Sequence, residues 1–330
     1  MTSRAVRLHW DGRGPAVAKA PPRARCQPVF SRRDGSALYR GDNVEVLRAL
    51  AGTALREHVT LAYLDPPFLT NRIHETRDSR VAFDDRWEDR AEYLEAIGAR
   101  LGLIRELLAP HGSVVVHVDP KTSHYVKVLC DEIFGDECFA SEIVWRYRRW
   151  PSRTRNFQRV HDVLLRYRKS ADAEPRYNPM FEPLAPSTLA TWGTQKQRAV
   201  VKDGRRLRSS KTDERTPGVP MGDVWDIGVI APISHERTGY PSQKPEALLE
   251  RIVGALSDPG DAVLDPYAGS GTTLAVARRM GRAFVGIDAG PVALDTTLAR
   301  LAALGSPMTG RPAGAVALPP PCHAPRAMRA

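Results

Sequence analysis

Two segments carry residue types that can act on a bound small molecule. In LAYLDPPF, Asp65-Pro66-Pro67-Phe68 closes a stretch that reads as a buried strand. The two prolines restrict the backbone there and remove two N–H donors. Carbonyls and the Asp65 carboxylate are left to accept hydrogen bonds, which suits an amine donor, while Phe68 offers a face for a flat ring. In VLDPYAGSGTT, Asp265 and a turn containing Ala268, Gly269, Gly271 and Thr272 lie between a strand and a helix. Glycines at such a turn let backbone N–H groups and the helix start approach a ligand closely. The turn is neither a Walker phosphate loop nor a G-x-G-x-x-G fingerprint, which weakens phosphate-binding and dinucleotide readings. The next strand ends at Gly286-Ile287-Asp288. An acid about twenty residues beyond a glycine turn suits ribose hydroxyls at a sheet's carboxyl edge, with helix N-capping before Pro291 as the alternative.

Both segments need strands to carry them. Short buried strands are expected at Ala37–Arg40 and His58–Leu64, with a helix near Val44–Leu50 between them. A helix over Arg90–Leu108 is stopped by Pro110 and Gly112, a strand follows at Ser113–Val118, and a helix at Val126–Phe134. Glu142–Trp145 and Asp162–Tyr167 read as strands, and the alternation of strand and helix predicts a doubly wound, mostly parallel α/β sheet. Between residues 170 and 238 the sequence turns polar, basic and proline-containing with no strong period, as an inserted module would. Helices at Pro245–Leu256, Gly271–Met280 and Pro291–Leu304 then alternate with strands at Ala262–Leu264 and Ala283–Ile287. The expected organisation is a disordered basic arm (1–34), a half with the DPPF motif (35–169), the insertion (170–238), a half with the glycine turn (239–304) and a disordered Pro/Ala/Gly-rich tail (305–330).

The chain has 330 residues, 42% hydrophobic and 26% charged, enough for a sizeable core. The 48 Lys and Arg exceed the 38 Asp and Glu, giving a formal charge of +10 and pointing to a polyanionic partner. The charge concentrates at Arg146, Arg148, Arg149, Arg153, Arg155, Arg159, Arg166, Arg168 and Lys169, against the single acid Asp162. Trp145, Tyr147, Trp150, Phe157 and Tyr167 interleave with them, the mixture that binds backbone phosphates and stacks on bases. In the insertion Lys196, Arg198, Lys202, Arg205, Arg206, Arg208, Lys211 and Arg215 add charge for backbone contacts, which position a protein without reading sequence. The four cysteines form no CxxC pair and are expected as free thiols. No apolar run is long enough to span a bilayer and no secretory signal core is visible, so a cytoplasmic location is expected.

The order LYRGDNVEVLRAL, LAYLDPPF, GSVVVHVDPKTSHYVKVLCDEIFG, EIVWRYRR, HDVLLRYRKS, YPSQKPEALLERIV, LDPYAGSGTT, FVGID resembles, block by block, the β group of DNA amino-methyltransferases. In that group the target-base motif precedes the cofactor motif. The resemblance implies the S-adenosylmethionine-dependent methyltransferase fold in circularly permuted order, with a target-recognition insertion. It implies S-adenosylmethionine as cofactor and double-stranded DNA as partner. Asp265, Gly269 and Gly271 would then line the methionine and ribose side of the cofactor pocket, in the turn that also holds Ala268 and Thr272. Asp288 would hold ribose, Asp42 would lie near adenine, and Lys244 and Pro245 would border the methionine end. Asp65, Pro66, Pro67 and Phe68 would take the target base, extruded from the duplex. The implied reaction is direct methyl transfer to N6 of adenine, with N4 of cytosine presenting the same geometry; the leading Asp leans toward adenine. Other readings are a protein-glutamine or RNA-guanine methyltransferase, whose motif usually begins Asn-Pro-Pro after the glycine loop, and an inactive DNA-binding relative. A homodimer and a cognate restriction endonuclease are compatible partners. No metal is expected: His117 and Asp119 read as structural, as does His161-Asp162. The FDDRWEDR loop, with Asp84, Asp85 and Trp87, reads equally as a segment closing over the site and as a solvated loop.

Overall fold

The computed structural model describes residues 6–11, 13, 26–149, 153, 155–197, 200–207 and 211–305. The expected disorder over most of 1–25 and over 306–330 lies outside the described residues. The chain divides into a larger unit, Met1–Tyr177 with Val224–Ala330, and a smaller one, Asn178–Asp223.

The larger unit is built on a nine-stranded sheet. Its strands are β1 (Pro28–Ser31), β2 (Ala37–Arg40), β3 (Val59–Leu64), β4 (Leu108–Val118), β5 (Phe139–Arg146), β6 (His161–Arg168), β7 (Val224–Asp226), β8 (Ala262–Asp265) and β9 (Ala283–Asp288). Across the sheet they run β1-β2-β9-β8-β3-β4-β6-β5-β7. Pairing is parallel from β2 to β4 and between β5 and β7; β1 and β6 run against their neighbours. The helices are α1 (Asn43–Ala51), α2 (Arg90–Leu107), α3 (Ser123–Phe134), α4 (Glu246–Leu256), α5 (Thr272–Arg279) and α6 (Pro291–Ala303). Every residue of β3 is buried, as is every residue of β8. Continuous burial is what a parallel strand covered on both faces requires, and it explains the unbroken apolar runs in the sequence.

The mostly parallel α/β sheet is as the sequence predicts, with two corrections to the expected boundaries. Residues 28–31 are not part of a disordered arm: they form β1, pairing with β2 and stacking Phe30 on Phe284 at 6.2 Å. Residues 224–226 do not belong to the insertion. They form β7, which pairs with β5 and buries Trp225. Three residues are too few for a periodic signal, so the pairing that places them is invisible in sequence.

The smaller unit holds a helix (Pro186–Trp192) and three short antiparallel pairs. One pair, Val200–Lys202 with Arg205–Leu207, turns on Asp203 and Gly204, both at positive φ. That is the Asp-Gly signature of a tight hairpin, a local signal that periodicity alone passes over. Among the described residues, no helix is long and apolar enough to cross a membrane.

The junction of β3 and β4 is tight. A Cβ at Gly112 would lie 2.8 Å from the Val59 carbonyl oxygen and 3.0 Å from those of Ala109 and Thr60. Backbone cannot yield as a side-chain tip can, so Gly112→Ala is expected to destabilise the protein by about 1–3 kcal/mol. Urea unfolding checks this against Gly222→Ala, where the added Cβ meets nothing within 4 Å.

Candidate active site

The carboxyl ends of β2, β3, β8 and β9 share one edge of the sheet. Parallel register sets Leu264 opposite Ala62, Asp265 opposite Gly286 and Asp288 opposite Arg40. Between β8 and β3 the direction of winding reverses, since β8 leads to β9 on one side and β3 to β4 on the other. Ligands of open α/β sheets bind at such a point. A cavity of about 300 Å³ opens there, lined by Asp42, Asp65, Pro66, Pro67, Phe68, Lys244, Asp265, Ala268, Gly269, Thr272 and Asp288. Pro245 and Gly271 do not line it. Pro245 is buried as the residue before α4, and Gly271 as the residue before α5.

The glycine turn is shaped by sterics. Gly269 has φ +50° and Gly271 φ +73°, and a Cβ on Gly271 would lie 2.6 Å from Thr297 Oγ1. Only glycine tolerates that combination without strain. Gly269 N–H donates to Asp288 Oδ2 and Gly290 N–H to Asp288 Oδ1, both at 2.8 Å. Burial nonetheless pushes the Asp288 carboxyl above its ordinary range. Asp265 accepts from Tyr267 N–H at 2.9 Å, and burial drives its pKa up to about 7, partly opposed by a hydrogen bond from Thr273. Thr272 hydroxyl donates to the Lys244 carbonyl at 3.2 Å, tying the turn to the segment before α4. Asp42 caps α1 through Val44 N–H.

On the other wall, Asp65 Oδ2 pairs with the Lys244 ammonium, which also stands 5.1 Å over the Phe68 ring. Asp65 Oδ1 is buried without a hydrogen-bond partner. An unpaired buried acceptor costs free energy, so this oxygen is poised for a donor. The loop beyond Phe68 is held by Asp85, which is 1% exposed and accepts from Phe68 N–H (3.2 Å), Leu69 N–H (3.0 Å), Thr70 N–H (2.8 Å) and Trp87 Nε1–H (2.9 Å). The FDDRWEDR segment is therefore anchored at Asp85 rather than solvated there, while Asp84 pairs with Arg86 in the open.

Several residues of the cavity are not singled out by the sequence. Asn43 donates to the Pro266 carbonyl at 2.9 Å and accepts from Arg100 at 2.6 Å. His74 stacks on Phe83 at 4.4 Å, and Phe83 faces Tyr240 at 6.4 Å. Tyr240 opens the YPSQKP block, so a signal for it exists; Arg100 is a polar residue inside a helix, and its sequence neighbours give no hint of the cavity.

The basic stretch divides in two. Arg148, Arg149, Arg153 and Arg155 are exposed, with Arg149 packed 5.1 Å from the Tyr147 ring. Arg146 is exposed and paired with Asp226. Arg159 pairs with Asp119 at 3.0 Å, Arg168 donates to the Glu137 carbonyl, Lys169 to that of Arg105, and Arg166 is buried beside Ser113. The aromatics expected to stack on bases are mostly core: Trp145 on β5, Tyr147 just after it and Tyr167 on the continuously buried β6 are all buried. Phe157 is fully exposed, and Trp150 lies outside the described residues. In the smaller unit Lys196 is exposed and paired with Glu214 at 3.2 Å, Arg205 is exposed, and Arg206 pairs through its backbone with Val201. His117 and Asp119 have structural partners, and no cluster of three metal-ligand residues occurs among the described residues.

With this geometry in view, comparison with known proteins gives a consistent answer. The chain is 31% identical over 297 residues to the type II methyltransferase M.EcaI of Enterobacter cloacae, covering 75% of this chain and 66% of that protein. It is 26% identical over 292 residues to the DNA adenine methyltransferase YhdJ of Escherichia coli, covering 84% and 87%. Among solved structures, the cytosine-N4-specific PvuII DNA methyltransferase superposes with a TM-score of 0.57 at 17% identity, over 83% of this chain and 88% of that one. A Thermus thermophilus protein solved with S-adenosyl-L-methionine gives 0.51 at 22% identity, over 81% and 93%. Both likenesses establish a shared fold. The family model described as DNA methylase matches residues 59–299, spanning both site segments and the sheet that joins them; the chain belongs to the DNA methylase family.

Proposed function

We propose that this chain transfers a methyl group from S-adenosylmethionine to the N6 amino group of adenine in duplex DNA. The observation that carries the reading is the meeting of Asp65 and Asp265 in one cavity, at the ends of adjacent parallel strands. The volume suits a nucleoside-sized ligand, and the glycine turn gives it a wall at Gly269 whose shape a side chain at Gly271 would break by colliding with Thr297. When bound, S-adenosylmethionine supplies an electrophilic methyl group on a sulfonium.

The residues present fit that cofactor. Asp265, buried, and Asp288, half-buried, are acceptors lining the cavity, suited to a cationic, hydroxyl-rich nucleoside, and Asp42 closes the far side with Arg100 near it at 3.6 Å. The protein's part in the transfer is geometry. An exocyclic amine has its lone pair delocalised into the ring. Asp65 and the Pro66 carbonyl, each accepting one N–H, turn that lone pair toward the methyl group. Phe68 offers the face on which the extruded base stacks. Lys244 now holds both the carboxylate and the ring face, so the base enters as its ammonium moves away.

Adenine is favoured by the leading Asp of the motif and by the relative named as an adenine methyltransferase. The exposed Arg148, Arg149, Arg153 and Arg155 offer charge for phosphate contacts, and the basic residues of 178–223 support a role in target recognition. The type II name of M.EcaI supports a setting alongside a restriction endonuclease, and a DNA substrate supports action in the cytoplasm. Sequencing of modified bases in DNA from cells expressing the chain is expected to reveal N6-methyladenine at one recognition sequence. N4-methylcytosine alone would overturn the choice of base, and unmodified DNA the enzymatic reading.

Asp65→Asn keeps the shape but weakens the acceptor. Methyl transfer is expected to fall at least about 10²-fold, with cofactor affinity by calorimetry close to wild type. A second expectation concerns pH. Asp265 titrates near 7 in the free protein, above its unfolded value of roughly 3.9, so its neutral form favours folding and that contribution is lost as pH rises toward 7. A cationic ligand prefers the carboxylate, so S-adenosylmethionine should bind more tightly as pH rises through about 7, releasing a proton below that pH. Calorimetry in buffers of different ionisation enthalpy measures the released proton, and Asp265→Asn should remove it.

A further inference from the structure

Behind the DPPF motif lies a chain of buried polar groups that the geometry of methyl transfer does not use. His117, on β4, is fully buried. Its Nδ1 is 2.8 Å from the Tyr63 hydroxyl on β3 and 3.8 Å from Asp65 Oδ1, the buried oxygen with no hydrogen-bond partner. Its Nε2 is 3.4 Å from Asp162 Oδ2 on β6. Asp162 Oδ1 accepts from the Tyr147 hydroxyl at 2.9 Å, and Arg149 donates to that hydroxyl at 3.4 Å. The rings of Phe68 and Trp145 wall the imidazole at 5.5 Å each. Beyond Asp65 stands Lys244, and Asp265 lies on the far side of Tyr63.

The partners dictate the protonation states. Asp162 stays a carboxylate: burial opposes this, yet the hydrogen bonds from His117 and Tyr147 pull its pKa below the ordinary value. Neutral His117 therefore places its one N–H on Nε2, toward Asp162, and leaves Nδ1 bare to accept from Tyr63. In that state nothing donates to Asp65 Oδ1, as observed. A proton added to Nδ1 would lie between Asp65 and the Tyr63 oxygen, on an imidazolium flanked by two carboxylates.

Methylation of an amine creates such a proton. Taking the proposed function as given, the amine lone pair forms the new N–C bond while the C–S electron pair passes to sulfur. The nitrogen becomes cationic and sheds one N–H proton, whose bonding pair returns to it. We propose that His117, braced by Asp162 and acting through Asp65, takes up the proton that the target amine sheds on methylation. His117 is thus a positioning residue in the resting state, since it touches Asp65 and not the base, and it discharges the proton to solvent after product leaves.

The test is the pH dependence of single-turnover methyl transfer to duplex DNA at saturating S-adenosylmethionine, where titration of Asp265 no longer limits binding. Wild type should lose rate in acid as His117 becomes protonated beforehand. His117→Asn should be slower by about 10²-fold on the alkaline plateau and should lack the acid inflection. Asp162→Asn removes a charge and no volume, and should move the inflection about one unit to lower pH by withdrawing the imidazolium's counter-charge. It carries the test should His117→Asn fail to fold. An unmoved inflection in Asp162→Asn, or an inflection retained in His117→Asn with the rate lowered equally at every pH, overturns the proposal and leaves methyl transfer itself standing. Wild type that methylates no DNA overturns instead the function on which the proposal rests.

Discussion

Parallel pairing of β3 with β8, with Ala62 opposite Leu264, joins segments from the two halves of the chain at the centre of the sheet. Each strand is buried on both faces, so each is fixed in register by the packing of α-helices above and below it. Asp65 and Asp265 then emerge at the same edge because both follow the last residues of parallel strands. A slip of one residue in that pairing would reverse every side chain and take both carboxylates out of the cavity. The rest of the site is built outward from this pair.

The cavity stores polar groups that folding alone would not favour. Asp265 and Asp288 are both held above their ordinary pKa by burial, and Asp65 Oδ1 has no donor. Buried carboxyls without counter-charge, and an acceptor without a donor, are costly in a core and useful in a binding site, because a ligand that brings donors or positive charge recovers the cost. Meanwhile the backbone that surrounds them is firmly tied. Asp288 fixes Gly269, Thr272 fixes Lys244, and Asp85 fixes the loop after Phe68. Rigid backbone around unsatisfied side chains is the arrangement that binding and positioning both require.

Coupling between the two walls runs through Lys244. Its carbonyl is held by the glycine turn, and its ammonium lies on Asp65 and Phe68. The residue therefore links the proposed cofactor side to the proposed base side without belonging wholly to either. Behind Asp65, the Tyr63–His117–Asp162–Tyr147 chain reaches the exposed Arg149. One continuous set of polar contacts thus runs from the cavity to the basic surface.

The sequence by itself determined the class of the sheet, most of its strands and helices, and the two motifs, because burial on both faces and glycine-proline punctuation are written locally. It also singled out Asp65, Asp265 and the glycine turn, which the fold brings to one cavity, since residue type and spacing are local properties as well. It did not determine β1 or β7, which are short and exist through pairing with distant strands. Nor did it show which charges are free. Arg159 and Arg166 read like Arg148 and Arg155, and only the fold brings Asp119 and Ser113 beside the first two. Asp85 read equally as part of a closing segment or of a solvated loop, and only the fold wraps the loop around it. His117, an ordinary strand residue in the sequence, became a neighbour of Asp65 only when β3, β4 and β6 aligned. Tertiary structure decided these cases because a side chain's partner, burial and charge state depend on residues far away in the chain, and no local pattern encodes them.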